Sequence, residues 1–196
     1  MKRIIILSFI LILNSCTYNV NVVRRYQLYF DEPTYQLFQK GLDEVRKNNK
    51  KEVLRIMTIV IAKSKEKLNN SMPLSINPYY YRANANSYLG NYIVCISDCD
   101  MVLTDTLRNE ELRLWKANSL RQIGQTDKAM NECKRVLGFC KNKPGVYLEM
   151  AFIYAGYKKY DSACFNLKTA QRLGYSIETI KKIGYCDSLE SDKNSN

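Results

Sequence analysis

The sequence predicts an all-α superhelical solenoid of about four helix-turn-helix units, closed by a C-terminal capping helix. Three observations point there. Small residues recur at a fixed step of 34: Gly90 and Gly124 are one step apart, and Ala83, Ala117 and Ala151 keep the step through three copies, as do Cys95, Ala129 and Ala163. A period of that size marks stacked units that cannot bury their apolar faces alone. Only 8 Gly and 4 Pro in 196 residues argue against a β-sandwich with its many tight turns. A hydrophobic fraction of 46% suffices for a buried core.

The chain has no His. That excludes Ser-His-Asp and Cys-His catalysis, Cys₂His₂ zinc sites and His-Glu-x-x-His metalloproteases. No Gly-rich phosphate loop occurs either, so an enzyme is not expected and no cofactor, metal or small-molecule substrate is implied.

Residues 1–15 read as a targeting segment rather than as fold. Lys2 and Arg3 precede an apolar run over residues 4–13 broken only by Ser8. A basic start and an apolar stretch of that length make a secretory signal, too short to span a bilayer. Leu13-Asn14-Ser15-Cys16 resembles the lipobox of bacterial lipoproteins, which implies that Cys16 carries the lipid after cleavage. Several acyl chains at about 0.8 kcal/mol per buried CH₂ hold a soluble domain on a membrane, whereas one does not. The expected location is the bacterial cell envelope; Thr17 after Cys16 points, by analogy with some bacteria, to outer-membrane sorting. Cleavage leaves the formal charge, +11 for the whole chain, two units lower. An exported chain with scattered Lys reads as a solvated basic face, or as one drawn to anionic lipid or polymer, and not as a nucleic-acid binder.

Residues 16–33 form the lipidated Cys and a tether, in which Tyr18, Val20 and Val22 alternate as a short strand would. Residues 34–70 read as a divergent first repeat: Gly41, Val53, Met57 and Val60 reproduce the spacings of Ala83, Cys95, Cys99 and Val102, but 42 residues earlier. The extra length falls in the polar, Pro-bearing loop over residues 69–78. A plain helical hairpin is the alternative. Residues 71–187 hold three repeats and the capping helix. Pro78 opens a helix over residues 78–88, where its missing N–H costs nothing. Gly90 makes the turn, and a second helix runs over residues 92–103. Asp127 and Asp161 stand in the first turn of later second helices, where an acid complements the helix dipole. The small columns let paired helices approach to about 8–10 Å. Residues 176–183 read as the capping helix that covers the last apolar face. Residues 188–196 form a polar tail.

These residues resemble the tetratricopeptide repeat: a small residue midway along the first helix, Gly before an aromatic at the turn, then Ala and a bulky apolar residue in the second helix. The resemblance covers residues 76–175, and Leu89-Gly90-Asn91-Tyr92 is its best stretch. Departures are Asn86 and Arg113 in place of aromatics, and Lys158 in place of the turn Gly. The resemblance implies a concave face lined by first helices, which binds a protein or peptide segment. Carried over, that face takes Tyr80, Asn84 and Tyr88, then Leu114, Asn118, Arg121 and Gln122, then Leu148, Phe152 and Ala155. Asn84 and Asn118 share one column, and a paired donor and acceptor there suits a peptide backbone. The alternative is that Asn84 merely solvates the face while Tyr80 and Tyr88 pack on neighbouring helices. Tyr80 stands where a cation would complete a carboxylate clamp.

The function expected is a membrane-anchored interaction scaffold; the alternative is a permanent structural subunit of an envelope complex. Cys95 and Cys99 share a helix face with Cys133 one step further on, and all three read as small core residues in columns held elsewhere by Ala, Met or Leu. With Cys16 lipidated, Cys95, Cys99, Cys133, Cys140, Cys164 and Cys186 remain, an even number that permits disulfides. Asp98, Asp100, Asp105, Glu110 and Glu111 fall at repeat ends and read as solvated surface charge.

Overall fold

The computed structural model describes residues 29–68, 72–103, 108–176 and Cys186. The targeting segment, Cys16, most of the tether, Asp105, the capping helix and the polar tail lie outside the described residues. Eight α-helices and no strand occur among the described residues: α1 Glu32–Arg46, α2 Lys50–Ser64, α3 Pro78–Leu89, α4 Tyr92–Val102, α5 Glu110–Gln122, α6 Thr126–Leu137, α7 Pro144–Gly156 and α8 Tyr160–Arg172. Short 3₁₀ turns, Lys65–Lys67 and Leu74–Ile76, lie between α2 and α3. The fold is an all-α tetratricopeptide-like one. The chain divides into two compact units, the division falling between Tyr81 and Arg82 within α3.

In the first unit, α1 begins where Asp31 accepts a hydrogen bond from the Thr34 N–H at 2.9 Å and Pro33 occupies the first turn. The helix ends with Asn48 at φ 57°. Asn49 N–H then returns to the Glu44 carbonyl at 3.0 Å, and the Glu44 carboxylate accepts from Lys47 and Asn49, both at 2.8 Å. This ties the turn to the end of α1. Helix α2 packs back on α1 through Val53, Ile56, Met57 and Val60, none more than 2% exposed. A Cβ on Gly41 would stand 2.6 Å from Met57 Cε and 3.0 Å from Ile56 Cγ2, so the Met57 and Ile56 side chains of α2 fill the space that glycine leaves open. Phe30 stacks on Phe38 with centroids 5.3 Å apart, and Phe38 meets Tyr81 edge-on.

The second unit repeats one hairpin. Gly90 and Gly124 both stand at φ 80°, and Lys158 takes the same left-handed conformation at 59°. After each, the chain hydrogen-bonds back across the helix end: Asn91 to Asn86 at 3.0 Å, Gln125 to Leu120 at 2.8 Å, Lys159 to Tyr154 at 2.9 Å. This is the six-residue closure of a Schellman motif, and Asn48 with Asn49 makes it too. The small columns, Ala83, Ala117 and Ala151 with Cys95, Ala129 and Ala163, are all fully buried. Helices α5 and α6 form one close pair and α7 and α8 the next, with α5 also touching α7. A continuous core of Ala117, Leu120, Ala129, Met130, Cys133, Val136, Val146 and Ile153 joins them. Ala151 and Leu167 make a further cluster, covered by Leu148, Tyr175 and Cys186.

One expectation is overturned. Asp98 is not solvated surface charge: it is 1% exposed and takes both hydrogen bonds of Arg82, from Nε at 2.9 Å and Nη2 at 2.6 Å. Asn86 adds a third at 3.3 Å, while Asn91 holds the Asn86 carbonyl at 3.1 Å. One step of 34 later Glu132 is likewise buried, between Arg113 at 2.9 Å and Lys116 at 3.3 Å. Two of the three departures from the repeat pattern, Asn86 and Arg113, are thus partners of buried carboxylates. A polar residue replaces an aromatic where the neighbouring second helix carries an acid that must be satisfied. Asp100 keeps an exposed carboxylate and Glu111 is exposed.

Candidate functional site

The candidate site is the face that α5 and α7 share. Asn118 and Arg121 lie three residues apart on α5 and so project the same way. On α7, Glu149 and Phe152 do the same. Arg121 Nε donates to Glu149 Oε1 at 2.6 Å, and Asn118 Nδ2 donates to Glu149 Oε2 at 3.4 Å. The Arg121 guanidinium also sits over the Phe152 ring, 5.0 Å from its centroid. A cation over an aromatic face contributes on the order of 0.5–1 kcal/mol near water. Both groups therefore hold Arg121 in one place. The Glu149 side chain is 8% exposed and that of Arg121 is 21% exposed, so the pair forms the wall of the site while one edge of the guanidinium meets solvent.

The sequence-derived residues fall into four groups. Asn118 and Arg121 converge on Glu149, and the Phe152 ring lies under Arg121. Leu114 is half-buried, packs on the core and would lie 3.3 Å from a Cβ at Gly145, which lets α5 and α7 come close; Leu148 and Ala155 are half-buried on α7. Tyr88, 70% exposed, and Gln122 reach into water, and Asn84 is half-buried on α3. Tyr80 belongs to the first unit, where its ring meets Tyr81 edge-on at 5.2 Å.

Glu149 was not among the residues read from the sequence. Its signal was available: it is the only charged residue in α7, Pro-Gly-Val-Tyr-Leu-Glu-Met-Ala-Phe-Ile-Tyr-Ala-Gly. A lone carboxylate in so apolar a helix needs a partner wherever it is buried. Nothing in the sequence distinguishes Arg121 from any other cation as that partner.

Burial, opposed by Arg82 and Asn86, holds the Asp98 carboxyl above the ordinary carboxylate range. Lys116 loses to burial but gains more from Asp100 and Glu132, and its ammonium is held above the usual lysine value. Burial, reinforced by Glu149 and Glu132, pushes the Cys133 thiol up to about 12, which keeps it an inert core residue. Cys95, Cys99 and Cys133 are buried as thiols, and Cys164 is bonded to Cys186. Among the described residues there is no cluster of metal-ligating side chains and no helix long and apolar enough to cross a membrane.

Neither a protein-family model nor a curated protein matches the sequence. Among solved structures, MamA MSR-1 C2 superposes with a TM-score of 0.59 at 17% identity, over 82% of this chain and 88% of that one. MamA from Desulfovibrio magneticus RS-1 gives 0.59 at 18% identity, over 79% and 80%. A tetratricopeptide repeat protein from Parabacteroides merdae gives 0.57 at 17% identity, over 76% of this chain and 56% of that one. At these identities the likeness is one of fold.

Proposed function

We propose that this tetratricopeptide-like chain is a binding scaffold that holds a protein or peptide segment on its first-helix face, tethered to a membrane of the bacterial envelope through lipid on Cys16. The observation that carries the reading is the Asn118–Arg121–Glu149–Phe152 cluster. Two neighbouring first helices present a pre-positioned guanidinium, an amide and an aromatic face side by side, flanked by exposed Gln122. Side chains already locked in place lose little entropy on binding, and an amide beside a guanidinium suits backbone carbonyls and carboxylates. Asn84, Tyr88 and Leu114 extend the same set of first helices. Tethering raises the local concentration of this face at the membrane and strengthens weak binding. The Cys164–Cys186 bond supports an oxidising compartment, where such bonds persist.

A second reading, a permanent subunit of an envelope complex, is favoured by the large apolar groups exposed on second helices: Ile93 at 74%, Met101 at 43% and Phe165 at 64%. Asn84→Ala with Asn118→Ala discriminates between them. Under the scaffold reading, partner recovery after crosslinking in membranes falls while helicity stays as it is. Undiminished recovery, with the partner co-purifying in stoichiometric amount, supports the subunit instead. Cys16→Ser should move the chain out of the membrane fraction; retention there contradicts lipidation.

A further inference from the structure

A pocket of about 300 Å³ opens in the second unit between α4, α5 and α6. Ile96 and Asp100 line it from α4, Lys116 and Leu120 from α5, and Lys128, Asn131 and Arg135 among others from α6. Its two carboxylates are already satisfied. Lys116 reaches Asp100 at 2.6 Å and Glu132 at 3.3 Å, and Arg113 reaches Glu132 at 2.9 Å from within the core. Two cations remain in excess. Lys128 has no ion pair among the described residues, and Arg135, 56% exposed, stands 3.7 Å from a Glu132 carboxylate that two closer cations share. Lys128, Asn131 and Arg135 follow at i, i+3 and i+7, one row along the exposed face of α6. Opposite, Ile93 is 74% exposed and lies on the face of α4 that also carries Ile96 and Asp100.

This row is not a property of the repeat. One step of 34 later the same positions hold Ser162, Phe165 and Thr169, and one step earlier Val94, Ser97 and Met101. Lys128 and Arg135 thus stand at the rim of a pocket whose own acids already have inner partners.

We propose that this pocket is a second docking site, distinct from the first-helix face, for an acidic amphipathic segment of a partner protein. A carboxylate of the segment enters between Lys128 and Arg135, within reach of the Asn131 amide, and an adjoining apolar side chain covers Ile93 and Ile96. Charge complementarity sets the sign of the partner, and the exposed apolar group beside the pocket argues for a polypeptide rather than a small anion.

The test uses a short fluorescein-labelled peptide of alternating Glu and Leu, with anisotropy read on the whole chain in detergent. Lys128→Ala with Arg135→Ala should weaken binding by roughly tenfold or more, as expected of two lost charge pairs. Lys51→Ala with Lys63→Ala, which removes equal charge from the first unit, should leave it within about twofold. Ile93→Asp should weaken it as well, while Asn84→Ala with Asn118→Ala should not, which separates this site from the first-helix face. Equal losses in both Lys variants would overturn the proposal in favour of nonspecific attraction. No binding by the unaltered chain would also overturn it. So would tight binding of inorganic phosphate, or of phosphatidylglycerol vesicles, that Lys128→Ala with Arg135→Ala abolishes while the peptide stays bound.

Discussion

Arg82 and Asp98 form a two-pronged ion pair inside the second unit, and one step of 34 later Lys116 and Glu132 stand in the same columns with a single contact at 3.3 Å. The cation stands on a first helix and the acid on the second helix of the same hairpin, so each pair ties its two helices together. Breaking a buried pair on one side leaves an uncompensated charge, typically at about 3–5 kcal/mol. Arg82→Ala should therefore destabilise more than Asp98→Asn, which keeps a hydrogen-bonding group without the charge. Urea unfolding of the two variants checks the order.

Asp98 also sets a pH dependence. Its carboxyl is held above the ordinary range, chiefly by burial. In the window between the unfolded and folded values the native chain binds a proton that the unfolded chain has released, so this group's contribution to stability rises as pH falls. Asp98→Asn cannot titrate. The stability of the unaltered chain relative to Asp98→Asn should increase between about pH 7 and about pH 4, measured by urea midpoints at each pH.

Lys158 occupies the left-handed turn that Gly90 and Gly124 occupy in the preceding hairpins. A side chain there costs on the order of 1 kcal/mol that glycine avoids. Lys158→Gly should raise the melting temperature, and Gly124→Ala should lower it. Calorimetry on both variants reads the two signs.

Much of this architecture was legible in the residues. Ala83, Ala117 and Ala151 could be placed because a helix crossing tolerates only small side chains, which leaves a mark at each copy. The first hairpin was visible for the same reason, through Gly41 and Val53, although its turn residue is Asn48 rather than glycine. The buried acids were not read. Asp98 and Asp100 are neighbours in sequence and chemically alike, and only the helix rotation sends one inward. The available signal was a matched pair of columns, Arg82 with Lys116 and Asp98 with Glu132, at the same step as the small residues. On the candidate first-helix face, Asn118 and Arg121 follow from register along α5, whereas Glu149, which accepts from both, depends on a contact between helices that no spacing within one helix reveals.

Ala117 lies fully buried where α5 meets its neighbours. Ala117→Leu should destabilise by about 1–3 kcal/mol through overpacking, with no room gained by moving a single side chain. Denaturant unfolding gives the value directly.

The Cys164–Cys186 bond links α8 to residue 186, which packs with Tyr175 beside Ala151 and Leu167. Cross-linking positions that far apart in the chain removes roughly 3 kcal/mol of unfolded-state entropy in the loop-closure picture. Cys164→Ser should lower stability by up to that amount, and hydrogen exchange should show the loss concentrated in α7 and α8.

Under the proposed function a polypeptide segment lies on the first-helix face beside Arg121 and Glu149. The most direct measurement places a photoreactive amino acid at Gln122, at Tyr88 or at exposed Lys141 in the full chain in cells, followed by mass spectrometry of the crosslinked products. Crosslinks from Gln122 and Tyr88 to one common polypeptide, with none from Lys141, are the expected result. Crosslinks from Lys141 alone, or from Gln122 and Tyr88 to unrelated neighbours, would contradict it.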